Sequence, residues 1–218
     1  MLSIGISCRM TEALNYNELR NSLAVDWIIY FKKLEFIPVL IPHGIFDIGS
    51  YINRLKLDGV ILSGGNNVNP KLYSSDDEIN SVYDIRDLNE YGIIKYCLKN
   101  NLPLIGMCRG MYIINVFFNG RISHNVKNHV NVKHDILINR FNDYFGDKKV
   151  VNSFHEHAIK PDDLASDMKY FAISKDGCVE GMYNIKKSIF GIQWHPERTP
   201  FDLGVASFIS DIMKKKIN

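Results

Sequence analysis

The sequence predicts an α/β fold: a three-layer sandwich around a mostly parallel central sheet, with an antiparallel extension in the second half. Three observations predict it. Up to Phe118, short apolar runs alternate with stretches of helical periodicity, the pattern of parallel strands joined by right-handed crossovers. Two of these runs, "DGVIL" and "LPLI", are compact and lead into glycine-bearing turns. From Lys149 onward, strand-like segments follow one another across short turns such as "KDG", which suits antiparallel pairing.

Taken in order, Leu2–Ser7 reads as a short apolar strand. Asn17–Phe36 places Leu19, Leu23, Trp27, Tyr30, Phe31 and Leu34 at three- and four-residue steps, so it reads as one amphipathic helix. Phe36–Ile41 is strand-like, and Pro38 points to the sheet edge because proline cannot donate to a ladder. Ile48–Leu55 reads as a short helix and Asp58–Leu62 as a buried strand running into the loop Ser63-Gly64-Gly65. Residues 66–82 are polar and turn-rich, a surface excursion. Leu88–Leu98 is helical by pattern; Leu102–Ile105 is a strand, followed by a turn and a helix through Phe118. Lys149–Phe154, Lys169–Ser174, Val179–Tyr183 and Ile189–Trp194 read as strands. Phe201–Lys215 closes the chain as a helix, and the cations Lys214, Lys215 and Lys216 suit its end. With no repeat or linker in view, residues 1–218 read as one domain.

Composition narrows the function. With 26 basic and 24 acidic side chains, the net charge of +2 gives no basic face for nucleic acid. No run approaches a membrane span, and the first residues lack the pattern of a signal peptide. The four cysteines, Cys8, Cys97, Cys108 and Cys178, show neither CxxC spacing nor a disulfide framework. A reducing cytoplasm is therefore the expected location.

The stretch "LPLIGMCRGMYIINVFF" sets Cys108 at the tip of a strand–GxCxG–helix turn, the layout of a nucleophile elbow. The following helix directs N–H dipoles at the sulfur and favours the thiolate. Cys8, Cys97 and Cys178 read as packed thiols, with bordering the site an alternative for Cys8, beside Arg9 at a strand end. A thiolate needs a base. In "GIQWHPE", His195 ends an apolar run and Glu197 stands two residues on, so in extended backbone both point to one side. Such a carboxylate fixes the imidazole tautomer. Backbone N–H groups of Arg109, directly after the thiol, and Gly65 are candidates for an oxyanion hole.

These residues resemble the class I glutamine amidotransferase superfamily, and within it the γ-glutamyl hydrolase branch, peptidase family C26. "DGVILSGGNNVNP" is similar to that branch's oxyanion loop, "LIGMCRGMYIINVFFNG" to its elbow, "VNSFHEHAI" to its substrate-side strand and "GIQWHPE" to its catalytic end. The resemblance implies a flavodoxin-like sandwich and a Cys108–His195–Glu197 triad. It also implies backbone donors at Gly65 and Arg109, no cofactor, and a small γ-glutamyl amide as substrate. Three departures bear on substrate recognition. Tyr112 stands where the family has glutamine, Asn67 where it commonly has aspartate, and Ser153-Phe154-His155-Glu156-His157 where it reads Ser-x-His-His-Gln. Asn67, Tyr112, Ser153, His155 and Arg9 are the expected substrate contacts. Within the branch the resemblance is to hydrolases of γ-glutamyl nucleotide phosphoramidates in capsule synthesis.

His155 and His157 are spaced like a metal pair, but no acidic or cysteine cluster is evident beside them, so no metal is expected. His43, His124, His129 and His134 read as surface or loop residues. Two other readings stay open. One is a glutaminase subunit feeding ammonia to a partner synthetase, although no partner domain is present and a hydrolase would require none. The other is a non-catalytic binding or regulatory protein on the same fold.

Overall fold

A computed structural model describes residues 1–217. The chain opens with β1 (Leu2–Ser7), followed by β2 (Arg9–Glu12), β3 (Leu19–Ser22), α1 (Val25–Lys33), β4 (Phe36–Ile41), α2 (Ile48–Leu55) and β5 (Gly59–Leu62). Then come α3 (Asp84–Asn100), β6 (Leu104–Met107), α4 (Arg109–Phe117), β7 (Val130–Ile138), the one-turn α5 (Asn142–Phe145) and β8 (Lys148–Phe154). The last elements are β9 (Lys169–Ser174), β10 (Val179–Asn184), β11 (Ile189–Ile192) and α6 (Leu203–Met213).

A nine-stranded sheet runs in the order β4-β1-β5-β6-β11-β10-β9-β7-β8. The pairings from β4 through β11 are parallel, and those from β11 through β8 are antiparallel. The expected antiparallel extension is thus β7 to β10, whereas β11, also from the second half, completes the parallel part. Alternation along the strands feeds two cores. Ile4, Ile6, Ile61, Ile105 and Met107 pack with α1 and α6, while Val60, Leu62 and Leu104 pack with α2, α3 and α4. Helices therefore cover both faces of the parallel strands, which is the expected sandwich. β4, with Pro38, is an edge, as its proline requires.

Two sequence expectations change. Asn17–Phe36 is not one helix. Its first part is β3, paired antiparallel with β2 in a hairpin, and only Val25–Lys33 is helical. Trp27, Tyr30 and Phe31 do form the buried stripe, but Leu19 is exposed. β7 lies where no strand was expected. Its inward positions alternate correctly, but the first half of the strand, Val130 and Val132 included, is solvent-facing.

Candidate active site

The carboxyl ends of β1, β5, β6 and β11 converge, which is where open α/β sheets bind ligands. Cys108 stands between β6 and α4 with φ 52° and ψ −109°, a strained conformation for a residue with a side chain. Close packing requires the flanking glycines. A Cβ on Gly106 would lie 2.3 Å from the Gly110 carbonyl oxygen, and one on Gly110 would lie 2.1 Å from the Leu62 oxygen. The Cys108 N–H donates to the Ile192 carbonyl at 2.8 Å, tying the elbow to β11.

His195 follows β11 and is buried beside the thiol. Its Nδ1 is 2.7 Å from Glu197 Oε1. The i, i+2 pair comes together, but through a 3-10 turn at Pro196–Arg198 with His195 at its cap, not through extended backbone. Asn152 on β8 clamps the His195 backbone from both sides. Its Nδ2 donates to the His195 carbonyl and its Oδ1 accepts from the His195 N–H, each at 2.8 Å.

Burial alone would raise the Cys108 thiol. The charge of His195 and its hydrogen bond, the charge of His155 and the Arg109 N–H outweigh that and hold the thiol below its ordinary range. Burial likewise opposes a charged His195, yet the Cys108 thiolate and Glu197 push it up to about 9. Both shifts favour a thiolate–imidazolium pair. The other three cysteines have raised thiols, burial being the first cause in each.

Arg9, Gly65, Asn67, Cys108, Arg109, Tyr112, His155 and His195 line a cleft of about 340 Å³ together with His157 and Arg198. The Tyr112 hydroxyl donates to the His157 carbonyl at 2.5 Å. Asn67 is anchored at the rim through its Nδ2 to the Asn80 carbonyl at 2.8 Å. Ser153 is a correction: it is fully buried, is not among the cleft residues, and donates to the His129 carbonyl at 2.6 Å. It faces away because residues alternate along β8. Cys8 does not border the cleft either; it is buried at the end of β1. His43 and His129 are buried, not at the surface: His43 Nε2 bonds the Cys8 carbonyl, and His129 bonds Asp176. Cys178 is not a plain packed thiol, since Lys160 Nζ donates to its sulfur at 3.1 Å.

The largest omission from the sequence reading is a buried charge network. Arg109 turns its side chain away from the cleft to pair with both Asp87 and Glu90. Arg86 pairs with Glu90 at 3.0 Å and donates to the carbonyls of Ser63 at 2.7 Å, Gly64 at 3.2 Å and Gly65 at 2.5 Å. Burial lowers Arg86 to about 10, while the two guanidiniums overcome burial and hold Glu90 at about 2. One signal was available. Arg86, Glu90, Ile93 and Cys97 share the three- and four-residue spacing of the buried face of α3, so two charges occupy core positions.

The peptidase C26 family model matches residues 3–197. A γ-glutamyl-CDP-amidate hydrolase of Campylobacter jejuni is 36% identical over 198 residues, covering 89% of this chain and 90% of that protein. Among solved structures, a candidate GMP synthase component of Thermoplasma acidophilum superposes with a TM-score of 0.68 at 20% identity, covering 99% of this chain and 94% of the other. A glutamine amidotransferase of Thermotoga maritima gives 0.61 at 16% identity, covering 100% and 87%. These two show the shared fold.

Proposed function

We propose a function from one premise: the chain belongs to the peptidase C26 family. At the coarse level it is a glutamine amidotransferase-like hydrolase. The finer reading is a cysteine-dependent hydrolase of γ-glutamyl amides that releases L-glutamate through a thioester. The observation that carries it is the line from the Cys108 thiol through His195 to Glu197 at the strained elbow, with the thiol held low and the imidazole held high.

In the proposed cycle the Cys108 thiolate attacks the γ-carbonyl. The N–H groups of Arg109 and Gly65 hold the oxyanion; each such donor is typically worth about 3 kcal/mol of barrier. His195 protonates the departing nitrogen and then takes a proton from the water that opens the thioester. Glu197 keeps the His195 proton on Nδ1, so Nε2 does the transfer. Arg9, Asn67, Tyr112 and His155 are the proposed substrate contacts.

The proposed substrate is γ-glutamyl-CDP-amidate, in capsule phosphoramidate synthesis. The coverage and identity of the Campylobacter relative support it. So does the cleft, whose volume suits the glutamyl amide, while Arg9 and Arg198 at its lining offer guanidiniums to a phosphate-bearing leaving group. A panel of γ-glutamyl amides, including glutamine, polyglutamate, polyamine and nucleotide phosphoramidate conjugates, tests this with wild type and Cys108→Ala. Glutamate release by wild type alone, fastest from the phosphoramidate, is expected. Equal turnover by both proteins refutes the thiol mechanism, and preference for glutamine refutes the substrate.

A further inference from the structure

Two strands bring imidazoles to a buried carboxylate on a third. His129 immediately precedes β7, His134 lies within it, His155 follows β8, and Glu180 is on β10. Around Glu180 Oε1 stand His134 Nε2 at 3.4 Å, His155 Nε2 at 3.6 Å and His129 Nδ1 at 3.9 Å. Glu180 is fully buried, and among the described residues neither of its oxygens has a hydrogen-bond partner. The same holds for His134 Nε2 and His155 Nε2. A buried carboxylate left this way is costly unless positive charge meets it.

The far sides of the rings say what faces the carboxylate. His155 Nδ1 lies 2.7 Å from the His157 carbonyl oxygen, which can only accept, so that nitrogen carries the proton. His129 Nε2 lies 2.9 Å from Asp176 Oδ2 and donates to it. When these two rings are neutral, His155 Nε2 and His129 Nδ1 present lone pairs toward Glu180. Lone pairs facing a carboxylate repel unless a positive charge, a ring proton or a metal ion, lies between them. A ring N–H given to a carbonyl or carboxylate is also the usual support of a metal-ligating histidine.

We propose that His129 Nδ1, His155 Nε2 and Glu180 Oε1, which all lie within 4.8 Å of one another, bind one divalent transition metal of the Zn²⁺ class. Ligand atoms about 2.0–2.1 Å from such an ion stand about 3.4 Å apart in a tetrahedron, close to the 3.6 Å and 3.9 Å that separate Glu180 Oε1 from His155 and His129, which leaves a fourth position for water. Two imidazoles and one carboxylate oxygen suit zinc, cobalt or nickel better than magnesium or calcium. The neighbouring group of His129, Asp176 and Cys178 also gathers ligand atoms. There the Lys160 ammonium sits on the sulfur, which opposes a cation, and Asp176 serves as support for His129. The metal would pin β7, β8 and β10 together and commit His155, whose ring also lines the cleft. The proposal shares His155 with the proposed substrate contacts: with Nδ1 on the His157 carbonyl and Nε2 on the metal, its ring would be a wall of the cleft and not a hydrogen-bonding partner of substrate.

The test is titration of chelator-stripped protein with Co²⁺ at neutral pH, followed by visible absorption. One equivalent is expected to give the bands of four-coordinate Co²⁺ without a near-ultraviolet thiolate band, and Zn²⁺ is expected to displace it. His129→Gln, at a position that does not line the cleft, is expected to weaken binding at least tenfold, to abolish the Zn²⁺-dependent rise in Tm, and to keep the metal-free hydrolysis rate. Glu180→Gln is expected to weaken binding as well. No four-coordinate spectrum at stoichiometric Co²⁺, a thiolate band, or binding indifferent to His129→Gln each overturns the site. A proton on the cluster would then be what neutralises Glu180.

Discussion

Glu90→Gln isolates what the buried network contributes. Glu90 is fully buried and accepts from Ser7 Oγ at 2.9 Å, from Arg86 Nε at 3.0 Å and from Arg109. In the native protein two guanidiniums face two carboxylates, Asp87 and Glu90. The substitution keeps the shape and leaves two cations against one anion. Breaking a buried pair in this way costs about 3–5 kcal/mol. Proton linkage gives an independent figure. Glu90 falls from 4.5 to about 2 on folding, which at about 1.4 kcal/mol per tenfold change corresponds to about 3 kcal/mol. The sign follows from the depressed value. The contribution is complete above the unfolded carboxyl range and is lost as pH falls through about 2. Urea unfolding at neutral pH is the assay. With a slope of about 2–3 kcal/mol/M, the midpoint is expected to fall by about 1–2 M, with a flatter acid limb in the variant. Arg109→Met in the same background restores one cation against one anion, so the double variant is expected to lose less than the two single losses added. A midpoint shift under about 0.3 M, or strict additivity, refutes the reasoning.

A Cβ on Gly64 would lie 3.0 Å from His195 Cε1 and 3.4 Å from the Cys108 Cβ. Gly64→Ala is therefore expected to displace the imidazole, cutting kcat at least tenfold while the urea midpoint moves by less than about 0.5 M. Cys108 is expected to react with iodoacetamide ahead of the other three cysteines, with a rate midpoint below the ordinary thiol value of about 8.5. His195→Ala is expected to move that midpoint upward, because the thiolate loses its cation; an unmoved midpoint tells against the pair. Asn152→Ala removes both clamps on the His195 backbone. It is expected to lower kcat about tenfold with a smaller change in KM, checked by steady-state kinetics.

The elbow was legible because its demands are local. A close strand–helix turn needs small residues at Gly106 and Gly110, so the pattern is written in the sequence around Cys108. The misread first helix shows the opposite case. Leu19 and Leu23 continue the spacing of α1, but the β2–β3 hairpin is fixed from far along the chain. Asn66 bonds both the N–H and the carbonyl of Met10, and the Tyr83 hydroxyl donates to Glu12. No window of neighbouring residues contains that information. β7 was missed because its inward-facing alternation includes His134, a residue that apolar patterning does not count. The same blindness hid Arg86 and Glu90, since a charge reads as solvent-facing until its partners are brought to it by other elements. Ser153 failed for a finer reason: the strand was right, but a family motif does not say which face each residue takes.

The charge network lies out of the cleft, and its net stabilisation against an apolar packing is not where its value lies, because desolvation consumes most of the attraction. Its value is positional. Arg86 holds the Ser63-Gly64-Gly65 loop and Arg109 belongs to the elbow, and both end on Glu90. A single carboxylate thereby places two segments in one frame. The geometry of the peptide unit then does the rest. In a trans peptide the carbonyl of Gly64 and the N–H of Gly65 point in opposite directions. With Arg86 drawing the Gly64 oxygen inward, the Gly65 N–H is turned away from α3, and Gly65 lines the cleft. The strained backbone of Cys108, worth about 1–3 kcal/mol, survives in the same frame because the chain on either side is fixed by Ile192 and Arg109. A network too expensive to be kept for stability alone thus holds the Gly65 backbone and a thiol drawn from a different strand along one cleft.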